Sequence, residues 1–399
     1  MTSPTTPNDV VGAPGEPGWA HPDVTPIEHL DEGARRLRAF ARALPKTDLH
    51  CHLIGTVRPS TFVELAQREG LDLPAPAETI FPAITSVMKD LTPYAHARVP
   101  IVEDHSLEPP KPWYSLFQAS AWVLDALATP EDLTRIVREA FQDAHASGTR
   151  HLELFYDAVP PRLTDLGYAG TIDAYARGIR WAEEHLGMSG ALIAGIDRSQ
   201  SGEAAVARVR EVLEHPHPDV VGVGLDNLET AGPPERFVAA YRLAGEGGLK
   251  RTAHSSEHAP VAANTITCLD DLGCDRIDHG YFVLQDDAVV ARCREEGTPF
   301  TVISSTSRRS WRPWRRASIG AMKAAGLNVI LASDDPGMFP TTLADEYTIA
   351  AEQIGFTAAD LRATALAGVA AAWVDDARRA ELTQQFTARI DELENELLG

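Results

Sequence analysis

Two histidines stand two residues apart in Thr47-Asp48-Leu49-His50-Cys51-His52. On an extended strand, side chains at that spacing point to the same side, so His50 and His52 can bind one ion together. Three further motifs carry related chemistry: His254-Ser255-Ser256-Glu257, Asp278-His279-Gly280 and Ser333-Asp334-Asp335-Pro336. Imidazole and carboxylate are the donor set of a Zn2+ site. Each motif also has a plain structural reading. An HxH pair can arise by chance among 14 histidines, a single His279 can serve a core, and Asp334-Asp335-Pro336 can cap a turn. Cys51 faces away from its neighbouring histidines, as a packing residue. Together, and in this order along the chain, the motifs imply one shared metal site.

Residues so far apart in sequence need a scaffold that gathers them. Eight short apolar runs, at 47–52, 150–155, 191–196, 220–225, 251–254, 276–279, 300–303 and 329–332, read as strands. Amphipathic helical patterns separate most of them, as at 201–213, 234–244, 260–272 and 286–295, the last stopped by Gly297. Thr129-Pro130-Glu131-Asp132 is a helix start, with a cap, a proline at the first helical position and early carboxylates. Alternating strands and helices imply a parallel sheet. Eight units point to an α/β fold of the (β/α)8 barrel type, with an open doubly wound sheet as the competing architecture. The four motifs end the first, fifth, sixth and eighth strands, and strand C-terminal ends form the active-site face of a barrel. Residues 1–25, rich in Pro, Gly, Ser and Thr, read as a mobile tail. Residues 26–399 read as one barrel domain, with 57–128 as a helical insertion over the site and extra helices after the last strand.

The composition excludes several partners. Of 399 residues, 36 are Lys or Arg and 57 Asp or Glu, giving a net charge of −21. This argues against binding to a nucleic-acid polymer and against a polybasic membrane anchor. At 44% hydrophobic and 23% charged, the chain is not a disordered one. Four cysteines without a CxxC pair make neither a disulfide framework nor a zinc ribbon. No secretory signal and no long apolar span are visible, so a reducing cytoplasm is expected. There is no HExxH, GxSxG or Walker A motif, and no HxE with PCxxC. Gly222-Val223-Gly224-Leu225-Asp226-Asn227 lacks the third glycine of a dinucleotide fingerprint and reads as a strand exit. The sequence carries no signal for oligomeric state.

Four segments resemble the motifs of the adenosine deaminase family of the amidohydrolase superfamily. They are Pro45-Lys46-Thr47-Asp48-Leu49-His50-Cys51-His52-Leu53, Arg251-Thr252-Ala253-His254-Ser255-Ser256-Glu257, Arg276-Ile277-Asp278-His279-Gly280-Tyr281 and Leu331-Ala332-Ser333-Asp334-Asp335-Pro336. The resemblance runs from about Pro45 to the C-terminus. It implies one Zn2+ per chain, held by His50, His52, His254 and Asp334. It gives catalytic roles to His279 and Asp334, which orient or deprotonate water, and to Glu257, which protonates a ring nitrogen beside the carbon under attack. Asp335 would hydrogen-bond the five-membered ring, which requires a proton on one partner. Ammonia leaves and a carbonyl replaces the amine. Trp113, Tyr114, Phe117 and Trp122 offer apolar surface for a lid over the pocket.

Where the family pattern breaks, it breaks on the substrate side. Ile54-Gly55 stands where an acidic residue and glycine normally follow the first motif, and in adenosine deaminases that acid contacts the ribose. Ser255-Ser256 replaces a smaller pair, Asn227 replaces a glycine whose backbone meets the purine, and Asp278 replaces another glycine. The seventh strand exits through Ser304-Ser305-Thr306-Ser307 in place of a Cys-Pro start. Ile54, Gly55, Asn227 and Asp335 are thus the expected substrate contacts. The expected reaction is zinc-dependent hydrolytic deamination of adenosine or a modified 6-aminopurine, a small-molecule amino-heterocycle. Alternatives are adenine, an anionic adenosine derivative, another amino-heterocycle, ring opening of a non-aromatic substrate, or a metal-binding relative without catalysis. Arg308, Arg309, Arg312, Arg315 and Arg316, interleaved with Trp311 and Trp314, form either an anion site beside the pocket or a solvated loop.

Overall fold

All eight expected strands form in the computed structural model, which describes residues 21–399 except 88, 158 and 307. They are β1 (Lys46–His52), β2 (Thr149–Tyr156), β3 (Ser189–Asp197), β4 (Val220–Asp226), β5 (Lys250–Ser255), β6 (Arg276–His279), β7 (Pro299–Val302) and β8 (Asn328–Leu331). Each pairs in parallel with its sequence neighbour, in the order β1 to β8. The ring closes where Asp334, just beyond β8, meets β1: its N–H donates to the His50 carbonyl (3.0 Å) and its carbonyl accepts from the His52 N–H (2.8 Å). The result is a nearly closed (β/α)8 barrel. Its strands are buried on both faces, which is why they read as continuous apolar runs and not as alternating ones.

The helices follow from their local signals. In the helix Pro130–Ala146, the Thr129 hydroxyl accepts from the Asp132 N–H (3.1 Å) and the Asp132 carboxylate accepts from the Thr129 N–H (2.9 Å). Leu133, Ile136, Val137 and Phe141 on one face are fully buried. No helix among the described residues is long and apolar enough to cross a membrane.

The insertion at 57–128 contains the helices Pro59–Glu69 and Leu116–Ala126 joined by short turns. It is fastened to the loop after β7. Trp311 Nε1 donates to Glu103 (2.9 Å), Trp314 Nε1 to the Val99 carbonyl (3.0 Å) and Arg309 Nε to the Ile84 carbonyl (2.9 Å). Of the four aromatics expected in a lid, Phe117 lines the central cavity. Tyr114 and Trp122 pack edge to face, and Trp113 donates to the Pro109 carbonyl.

Of the tail expected over 1–25, residues 1–20 lie outside the described residues and 21–25 are described. His21 is buried, and Asp23 accepts from Arg312 (3.0 Å) and Arg316 (2.5 Å). Two guanidinium groups of the arginine cluster, which the sequence offered as an anion site, are thus engaged with Asp23.

Candidate active site

The C-terminal strand ends bring His50, His52, His254 and Asp334 together, with one donor atom of each within 4.8 Å of all the others. His52 Nε2 lies 3.2 Å from His254 Nε2. Asp334 Oδ1 lies 3.3 Å from His50 Nε2 and 3.4 Å from His52 Nε2. Three imidazoles and one carboxylate converging on a point form a donor set for Zn2+. The protein's electrostatics fit a cation there. Against the effect of burial, Asp278 and Asp334 push the His50 imidazole up to about 10, so positive charge is drawn to this spot. Cys51 is buried, accepts from the Ser333 hydroxyl (3.5 Å) and takes no part in the cluster.

The layer behind the histidines was only partly foreseen. Asp278 is fully buried. One carboxylate oxygen accepts from Thr301 Oγ1 (2.8 Å) and lies 3.0 Å from His50 Nδ1; the other accepts from Thr252 Oγ1 (2.8 Å). It thereby directs His50 Nε2 inward, the task of a carboxylate behind a metal-binding histidine. His254 Nδ1 is similarly placed 2.9 Å from the Leu225 carbonyl. The sequence marks Asp278 only as a departure from a family pattern, while the structure shows what its carboxylate does.

Glu257 faces the same cavity on a loop after β5. That loop is organised by Glu229, a buried carboxylate that accepts from the backbone N–H groups of Ser256 (2.7 Å), Glu257 (2.9 Å), His258 (2.9 Å) and Ala259 (2.8 Å). Sequence reading missed Glu229, which belongs to no motif. The Glu257 carboxylate lies 2.9 Å from His258 Nδ1, 3.7 Å from His279 Nε2 and 3.2 Å from Arg315 Nη2. Burial would push its pKa up, but these three neighbours outweigh burial and hold it well below the usual carboxylate range. Glu257 therefore rests as a carboxylate.

Asp334 and Asp335 are adjacent buried carboxyls whose surroundings separate them. Burial opposes the ionisation of both. His50, His279 and His52 nevertheless hold Asp334 ionised, while burial and the Asp334 charge push Asp335 well above the ordinary range. Asp335 is thus the carboxyl of the pair that more readily keeps its proton, the condition required for a hydrogen bond to an unprotonated ring nitrogen. Gly55 makes room for it, since a Cβ on that residue would fall 2.1 Å from Asp335 Oδ1.

These residues share a cavity of about 570 Å3. His52, His254, Glu257, His279, Asp334 and Asp335 line it, as do the expected substrate contacts Ile54, Gly55 and Asn227. The Asn227 amide is already engaged, donating to Asp197 (2.9 Å) and accepting from the Leu228 N–H (2.6 Å). Of the five clustered arginines, Arg308 lines the cavity. Arg309, Arg312 and Arg316 are committed to protein partners, and Arg315 donates to the Thr306 carbonyl as well as to Glu257. Ser307, the last residue of the expected β7 exit, lies outside the described residues.

The adenosine deaminase family model matches residues 45–389. An adenine deaminase of Rhodospirillum rubrum is 30% identical over 353 residues, covering 88% of this chain and 98% of that protein. A crystal structure of a cog1816 amidohydrolase from Burkholderia ambifaria with bound Zn is 31% identical, covers 94% of this chain and 98% of that one, and superposes with a TM-score of 0.79. The adenine deaminase from Arthrobacter aurescens is 28% identical over 88% of this chain and 100% of its own, with a TM-score of 0.72. With the family model spanning a barrel whose strand ends carry these motifs, the chain is a hydrolase acting on C–N bonds and belongs to the adenosine deaminase family.

Proposed function

We propose that the protein hydrolytically deaminates a 6-aminopurine, with adenine as the ring it takes and one Zn2+ per chain held by His50, His52, His254 and Asp334. The observation that carries this reading is convergence. Three of the four donors, His52, His254 and Asp334, line one cavity with Glu257, His279 and Asp335, and the buried His50 converges on the same donors from behind it. Adenine stands ahead of adenosine on two grounds. Ile54 offers no hydrogen bond to a ribose hydroxyl, and the similar proteins above include two named adenine deaminases. A metal binder without catalysis has no use for the Glu257, His279 and Asp335 set.

Bound in this site, Zn2+ supplies the Lewis acidity that makes water a nucleophile near neutral pH. The chain's own residues do the rest. Asp335, protonated, donates to the five-membered-ring nitrogen and fixes the ring's orientation. Glu257 faces the ring nitrogen beside the amine-bearing carbon. Since it rests as a carboxylate, it first takes up the proton that the attacking water gives up through His279, 3.7 Å away, and then delivers it to that nitrogen. His279 and Asp334 take the second proton of that water and pass it to the departing amine, which leaves as ammonia. Leu116, Phe117 and Leu124 of the insertion cover the cavity with apolar surface and exclude bulk water. Water and the aminopurine give the 6-oxopurine and ammonia.

Ammonia release measured across adenine, adenosine, N6-substituted aminopurines and other amino-heterocycles tests the reading, together with metal analysis. Adenine or a substituted adenine should release ammonia, and one zinc per chain should be found. Full turnover by protein freed of metal would overturn it.

A further inference from the structure

We propose that the same cavity contains a second subsite, built by Asp157 and Asp226, for a hydrogen-bond-donating substituent on the purine, either an ammonium group or hydroxyls. The proposal rests on the aminopurine reading above and deepens it. Asp157 follows β2, Asp197 ends β3 and Asp226 ends β4, so three adjacent strand exits each place a carboxylate along one wall. Asp197 is satisfied, accepting from the Ser199 N–H (2.8 Å), Asn227 Nδ2 (2.9 Å) and Gln200 Nε2 (3.3 Å). The other two carboxylates accept no hydrogen bond from any described residue, though both line the cavity. Asp226 is only 6% exposed.

The wall is shaped around Asp226. A Cβ on Gly195 of β3 would fall 2.5 Å from Asp226 Oδ2, so the bare backbone leaves the space in which that carboxylate lies. The two nearby cations, Arg208 and Arg198, make no hydrogen bond to either carboxylate, although both act on Asp226 through their charge and Arg198 Nη2 is itself buried without a partner. Arg208 donates to Glu211 (2.8 Å) and to the Asp157 carbonyl (3.0 Å) and stacks on Tyr156 and Tyr168. Arg198 donates to the carbonyls of Gly232 (3.1 Å) and His254 (2.8 Å). Burial and mutual repulsion push the Asp226 carboxyl well above its ordinary range, and burial raises Asp157. A buried acceptor without a partner is costly, and a ligand that brings donors removes that cost.

The roles assigned above set the direction of the substituent. With the amine-bearing carbon at the metal site, the six-ring nitrogen at Glu257 and the five-ring nitrogen at Asp335, the N3–N9 edge points away from the metal. β2 to β4 form the wall opposite. A cavity of about 570 Å3 lies in the range that encloses drug-sized ligands and exceeds a bare bicyclic base. Donors recognised here would replace the hydroxyl contact that Ile54 cannot make.

The test uses the zinc-loaded, full-length enzyme with adenine, adenosine, 9-(2-aminoethyl)adenine and 9-propyladenine. At least one of the two donor-bearing compounds should exceed 9-propyladenine in kcat/KM by about 10-fold, the scale of one hydrogen bond. The aminoethyl arm identifies a cation and the adenosine arm hydroxyls. Asp226→Asn should remove that advantage while leaving adenine turnover within about 3-fold of wild type and the zinc content unchanged. Asp157→Asn serves as the second variant if Asp226→Asn fails to fold. Equal turnover of all 9-substituted compounds, or an equal fall on every substrate in the variant, would overturn the subsite while leaving aminopurine deamination intact. Release of ammonia from none of the four would overturn both.

Discussion

Arg315→Met removes the charge beside Glu257 and should shift the pH dependence of the enzyme in a defined direction. Arg315 Nη2 lies 3.2 Å from Glu257 Oε1, and both side chains are buried. With an effective dielectric of about 20, Coulomb's law gives roughly 5 kcal/mol at that separation, an upper limit because the arginine's own desolvation opposes it. His258 and His279 remain against the carboxylate in the variant, so the Glu257 pKa should rise while these two neighbours still oppose burial. If Glu257 must be ionised in the free enzyme, the acid limb of kcat/KM moves to higher pH. Stability follows the same sign. A carboxyl held low in the folded state adds stability above its unfolded value of about 4.3, and that stability is lost as pH falls through the folded value. The variant lacks only the Arg315 share of this contribution, since His258 and His279 still hold the carboxyl low. Initial rates of ammonia release from acid to alkaline pH, with Arg315→Lys as the conservative control, decide the matter. Arg315→Lys should return the limb part of the way. A limb that stays at the wild-type pH while activity falls equally throughout would show that Arg315 only supports the loop after β7.

Asp278→Ala should weaken zinc binding by about 10–100-fold in a metal-buffered titration, because His50 loses the acceptor that directs it; unchanged affinity would remove Asp278 from that role. Glu229→Gln should retain zinc and lose at least about 100-fold in kcat, since orphaned N–H groups in the loop carrying Glu257 cost about 1–3 kcal/mol each. Wild-type turnover in that variant would show that the loop holds its shape without Glu229. Gly55→Ala should displace Asp335 at a packing cost of about 1–3 kcal/mol, lowering activity with zinc still bound, and full activity would refute the contact.

Much of the barrel is legible because parallel strands buried on both faces leave dense apolar runs that helical periodicity interrupts. The misses are at the edges, as in β3, expected over 191–196 and found over Ser189–Asp197. The site is legible for a related reason: its donors sit in short motifs at strand ends, so strand order alone predicts that they meet. What stays hidden depends on contacts between distant segments. Glu229 reaches the backbone of 256–259 across nearly thirty residues. Arg315 meets Glu257 across 58. The Arg and Trp run looks like a surface charge cluster, yet its guanidinium groups turn inward to Asp23, Ser305, Thr306 and Ile84. Composition shows how many charges there are; only packing shows where they point.

Backbone conformation explains a second layer of what the sequence concealed. Among the described residues, four non-glycine residues have positive φ: Asn227 (71°), Ser256 (53°), His279 (70°) and Asp334 (61°). They lie at the exits of β4, β5, β6 and β8. Asn, Asp and His enter this region more readily than other residues, and a serine there costs of order 1–3 kcal/mol. A rule that assigns left-handed turns to glycine passes over all four. The surrounding contacts hold them in place. Glu229 accepts the Ser256 N–H, and the Gly280 N–H just after His279 donates to the Ser255 carbonyl (3.0 Å). Asp334 is held by both hydrogen bonds that close the barrel. The turn that aims Asp334 at the histidines is therefore the same one that joins β8 to β1. Loosening that seam should disturb the donor cluster before it disturbs the rest of the barrel.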